Sequence, residues 1–101
     1  MMLNFKIIEK QEIGFTNRTR MVNSIILKIV KLPTEQEMKE VAISIWENGN
    51  KTWKEFTVFI YLPEMDSKLN AYGIVEFNQK GLTKFDINEN SLLFTKWKIT
   101  K

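Results

Sequence analysis

The chain contains neither cysteine nor histidine. Without cysteine there is no disulfide framework, no thiolate metal site and no thiol nucleophile, so nothing in the composition argues for an oxidising compartment. Without histidine no Ser–His or Cys–His pair can form, and no imidazole can serve as a base near neutral pH. Glycine is scarce and scattered: Gly14, Gly49, Gly73 and Gly81 stand singly, which rules out a Gly-rich phosphate loop. The two prolines, Pro33 and Pro63, mark no linker, and there is no internal repeat or low-complexity tract. No run approaches the roughly 18 apolar residues of a membrane span, the longest candidates being broken by Lys28 and Pro63. Residues 1–14 alternate charged and apolar positions, lack the pattern of a secretory signal and read as part of the fold. These absences lead us to expect a cytoplasmic protein with no membrane partner and no cofactor.

What is present is the composition of an ordinary globular domain. At 101 residues, with 44 % hydrophobic and 27 % charged side chains, the chain can bury one core and is too short for two.

The clearest element is a helix over residues 35–48. Thr34 and Glu37 have the spacing of a capping box, and Pro33 keeps the preceding chain extended. Met38, Val41, Ala42, Ile45 and Trp46 recur at helical spacing as one apolar stripe, and Gly49 offers a left-handed stop. On either side the period changes to two, with dense β-branched and aromatic residues. Strands are expected at residues 4–8, extending toward 15, and at 22–31, 56–62, 71–77 and 92–99. A polar turn falls at 16–20 and connections at 63–70 and 79–90. The order β-β-α-β-β-β predicts an α+β domain, an antiparallel-rich sheet of about five strands with one amphipathic helix on one face.

That packing leaves apolar residues over. In the strand at 56–62, Phe56, Val58, Ile60 and Leu62 point one way while Phe59 and Tyr61 point the other; Ile26 and Val30 repeat the pattern in the strand at 22–31. One helix cannot cover both faces, so loops, a second copy or a partner must cover the other.

Catalytic and metal-binding patterns are thin. Glu64 and Asp66 form the nearest carboxylate pair, and their place after Pro63 reads as a solvated turn; Glu76 alternates with Val75 and Phe77 as an outward strand residue. Asp86, Asn88 and Asn90 match the first positions of a calcium loop, but Ser91 stands where its glycine belongs and Trp97 where its glutamate belongs, leaving an Asx-rich turn.

Charge is unevenly placed. The net charge is +3, and residues 34–49 carry four glutamates against Lys39, or −3, so the remainder carries +6. Arg18 and Arg20 share one short segment and could meet phosphate, Phe59 and Tyr61 could stack on bases, and Lys96, Lys98 and Lys101 extend the basic surface. Trp46 belongs to the helix stripe, whereas Trp53 either closes the end of the helix or anchors a partner.

The capped helix, the run F-T-V-F-I-Y-L-P-E-M at 56–65 and the run A-Y-G-I-V-E-F at 71–77 together resemble a recurring uncharacterised bacterial domain, in which a helix precedes a strand, a Leu-Pro-x-Met turn and an Ala-Tyr strand. The resemblance implies an α+β fold and a bacterial or phage origin. It implies no activity and no functional residue.

The expected function is therefore binding rather than catalysis: a small protein-interaction module, self-associating or engaging a host or partner protein as an inhibitor or adaptor would. Its contact surface would be the second sheet face, with Phe59 and Tyr61, or the loop bearing Glu64 and Met65. The alternative is a nucleic-acid-binding domain using Arg18, Arg20 and the strand aromatics.

Overall fold

A computed structural model describes residues 3–15, 18–49, 53–65 and 70–92. Five strands, β1 (Phe5–Phe15), β2 (Arg18–Leu27), β3 (Glu55–Tyr61), β4 (Gly73–Asn78) and β5 (Gly81–Ile87), form one sheet in the order β1-β2-β3-β4-β5. A single helix, α1 (Glu35–Asn48), lies between β2 and β3 in the chain. The fold is the expected α+β sheet with one helix. Three pairings are antiparallel, and β2–β3 is parallel because the chain crosses over through α1 before pairing again.

The start of α1 follows its sequence. The Glu37 N–H donates to Thr34 Oγ1 at 3.1 Å, and the Thr34 N–H donates to Glu37 Oε1 at 2.9 Å. That second bond holds the Glu37 carboxyl below its ordinary pKa, with the Thr34 hydroxyl and Lys31 helping against partial desolvation. The end of the helix departs from expectation. Gly49 has φ −92° and ψ −178°, which is extended rather than left-handed, and its N–H turns back to Trp46 O at 3.3 Å. Close approach accounts for the glycine here: a Cβ would meet Ile45 O at 3.3 Å.

The core lies between α1 and the sheet. Met38, Val41 and Ala42 of the helix meet Val58 and Ile60 of β3 and Val75 and Phe77 of β4. Leu92, at the end of a 3-10 turn (Glu89–Leu92), is buried in the same cluster. Tyr72 is buried there too, and desolvation, reinforced by Glu89, raises its phenol pKa above the ordinary 10.0.

One strand lies elsewhere than expected. The stretch 79–90 holds β5, whereas the strand expected at 92–99 lies outside the described residues apart from Leu92. The turn that starts β5 is built by Asn78, whose Oδ1 accepts from the N–H groups of Lys80 at 2.7 Å and Gly81 at 3.1 Å. Gly81 takes φ +144°, which a side chain would resist. β5 escaped the pattern reading because it is a half-exposed edge: Thr83, Lys84 and Asp86 face solvent, and only Phe85 and Gly81 are half-buried. At the other side, β2 ends at Leu27, so residues 28–31 connect it to the helix instead of extending it.

The second sheet face is less open than its composition suggests. Val22, Ser24, Thr57 and Tyr61 are buried, and Ile26, Phe59 and Ile74 are half-buried.

Candidate binding groove

The groove follows from which strands the helix covers. α1 packs mainly on β3 and β4; Ile25 and Leu27 of β2 join that core, while residues 6–12 of β1 stay exposed beside it. Register then decides which side chains line the helix-side face of the β1–β2 hairpin. Phe5 and Ile7 lie opposite Leu27 and Ile25, but the pairing shifts between Ile7 and Glu9, leaving Ile8 as an extra residue. A one-residue bulge reverses the alternation. Beyond it Lys10 and Glu12, opposite Asn23 and Met21, take the helix-side positions that Glu9 and Gln11 would otherwise hold.

The result is a groove of about 420 Å³ between the hairpin and the C-terminal half of α1. Its apolar surface comes from Phe5, Ile7, Met21, Ile45, Trp53 and Phe56. Its polar groups are Lys10, Glu12, Asn23, Ser44 and Asn48. The Ser44 hydroxyl is already committed, donating to Val41 O at 2.8 Å. Asn23 is different: it is only 3 % exposed, and its Oδ1 has no hydrogen-bond partner among the described residues. A buried acceptor left unmade costs more than an ordinary hydrogen bond contributes, so its presence calls for explanation. The last turn of α1 borders the same space through Asn48 and Gly49 and contains no basic side chain to offset the negative end of the helix dipole.

A second concavity of about 360 Å³ lies at the other face, between Arg20, Thr57, Glu76 and Thr83. Arg20 Nη2 reaches Thr57 Oγ1 at 3.5 Å, a long contact, while its Nε is buried without a partner. Arg20 and Lys54 share this site with Glu55 and Glu76, so cations and carboxylates balance and no anion-selective field results.

The residues singled out from the sequence do not converge on one site. Arg18 opens β2, and its side chain lies outside the described set. Arg20 and Phe59 share a sheet face, but Phe59 lies opposite Ser24, four residues along β2 from Arg20, or roughly 13 Å at strand spacing. Tyr61 is 6 % exposed, further along the same strand. Glu64 is exposed at φ 72° in the turn after β3, and Met65 folds back, its Sδ accepting from the Leu62 N–H at 3.3 Å. Asp66, Lys96, Trp97, Lys98 and Lys101 lie outside the described residues. Asp86 pairs with Lys84 at 3.2 Å. Trp53, half-buried, lines the groove together with Asn48 and Gly49 at the end of α1.

Sequence reasoning passed over the groove's own polar residues. One signal was available: Asn23 and Ser24 interrupt the apolar run at 21–27, and an amide inside such a run needs a hydrogen-bond partner.

Comparison with known protein families, curated proteins and solved structures finds no match. The functional reading therefore rests on this geometry. Among the described residues no helix is long and apolar enough to cross a membrane.

Proposed function

We propose that this chain is a non-catalytic protein-interaction module that receives a segment of another protein in the groove between α1 and the β1–β2 hairpin. The observation that carries this reading is the open β1 side of the hairpin, where Ile7 remains 37 % exposed in a groove it shares with Trp53 and Phe56. Concave apolar surface with a few placed polar groups is the usual form of a recognition site. A protein partner is favoured over nucleic acid because Tyr61 is buried and Arg20 sits among carboxylates, whereas the groove offers rings and aliphatic side chains without a basic surplus.

The test is affinity capture with the full chain, nuclease-treated and untreated, comparing the parent with Ile7→Glu in the groove and Val30→Glu at a position 96 % exposed outside it. Circular dichroism checks that each variant is folded. A protein retained by the parent and by Val30→Glu, lost with Ile7→Glu and indifferent to nuclease is the expected result. Capture that survives Ile7→Glu, or that disappears with nuclease, overturns the proposal, and retention of the chain's own second copy alone would make the groove a self-association surface.

A further inference from the structure

Resting on that docking reading, we infer that the groove selects a basic side chain, arginine or lysine, presented by the partner segment between apolar residues.

Three features of the groove favour a donor with positive charge. The first is Asn23 Oδ1, buried and without a hydrogen-bond partner among the described residues, an acceptor that an incoming N–H would satisfy. Asn23 itself lines the groove. The second is the end of α1. Its terminal carbonyls carry the negative pole of the helix, and among the described residues the Gly49 N–H returns to Trp46 O and no lysine or arginine occupies the last turn. The third is Glu12, whose carboxylate forms no ion pair among the described residues.

The walls suit the same guest. Half-buried Trp53 offers indole surface to a guanidinium or ammonium, buried Phe56 adds apolar wall, and Ile7 and Ile45 can hold the aliphatic stem and the apolar residues beside it. Lys10 is the one opposing charge on the lining. Its four-carbon stem lets the ammonium turn out to water, whereas Asn23 and the helix terminus are fixed in the wall. A carboxylate in the same place would face an unpartnered acceptor, a helix C-terminus and Glu12, with Lys10 alone in its favour. The balance therefore selects cations.

The test is a proton–nitrogen NMR titration of the full chain with three capped peptides: acetyl-Leu-Arg-Leu-amide, its citrulline analogue, which keeps the shape but replaces the charged guanidinium with a neutral urea of three N–H donors, and its glutamate analogue. The signals read are the Trp53 indole N–H, the Asn23 side-chain amide and the Gly49 backbone N–H. The arginine peptide is expected to shift all three, the citrulline peptide to bind about tenfold more weakly, and the glutamate peptide to reach no saturation. Asn23→Leu and Glu12→Gln, each checked for an intact spectrum, are expected to weaken the arginine peptide separately. If the glutamate peptide shifts the same signals as strongly as the arginine peptide, the basic preference falls and docking in the groove stands. If no peptide moves them, both fall.

Discussion

The indole of Trp46 lies flat on the ring of Phe77, with centroids 5.3 Å apart and planes within 6°. Phe56 meets the same Phe77 ring edge-on at 6.0 Å and 76°. Through this trio the C-terminal half of α1 is fastened to β3 and β4, which leaves β1 exposed along most of its length although Ile25 and Leu27 of β2 stay buried in the core. Phe77→Ala is expected to cost about 3–5 kcal/mol in urea unfolding, since the ring is buried and its loss leaves a cavity. A double-mutant cycle with Trp46→Leu should return a coupling of about 0.5–1.5 kcal/mol. A coupling near zero would show that the stack adds nothing beyond burial.

Gly73 of β4 lies against Met38 of the helix. A Cβ there would sit 3.3 Å from Met38 Sδ, tighter than most real contacts, and 3.4 Å from Ile60 Cβ, so Met38 would have to give by a few tenths of an ångström. Gly73→Ala should therefore destabilise by about 1–2 kcal/mol, with partial rescue when Met38 is shortened to Val. Gly14 has nothing within 4 Å, so Gly14→Ala is expected to be neutral or to gain about 0.5 kcal/mol through the unfolded state. Paired denaturation curves distinguish the two sites.

Thr34 and Glu37 make the helix start pH-dependent. Thr34→Ala should cost about 1 kcal/mol, the ordinary value of a lost cap. Because the Glu37 carboxyl is lowered from its ordinary 4.5 in the folded state, its contribution is present above that value and is lost as pH falls through the folded pKa. Thermal midpoints measured from neutral pH downward should decline more steeply in this acidic window for the parent than for Glu37→Gln. Equal slopes would remove Glu37 from the account.

Asn23 should trade stability against binding. Replacing it with leucine removes a buried carbonyl that has no partner, so Asn23→Leu is expected to leave the unfolding free energy unchanged or raise it by about 1 kcal/mol, measured by urea denaturation. A substantial loss instead would mean that the amide holds the hairpin together.

The helix was legible residue by residue, because its determinants are local: a hydroxyl three positions before a carboxylate, an apolar stripe at helical spacing, and a glycine where the chain must leave. The strands at 56–62 and 71–77 were legible to within two residues for the same reason, their apolar alternation being strong on at least one face. β5 was not, since an edge strand with Lys84 and Asp86 facing water carries little hydrophobic signal, and its existence depends on the Asn78 turn and on pairing with β4.

By itself, then, the sequence determined an α+β domain with one capped amphipathic helix and more apolar strand residues than that helix can cover. Tertiary structure alone decided where the excess is hidden and where it is left open. The crossover through α1 made β2 and β3 parallel, the Trp46–Phe77 stack set the helix over β3 and β4, and the extra residue at Ile8 turned Lys10 and Glu12 toward Asn23. Each depends on contacts between residues distant in the chain or on a register that no single strand specifies, so local periodicity could not reveal the groove.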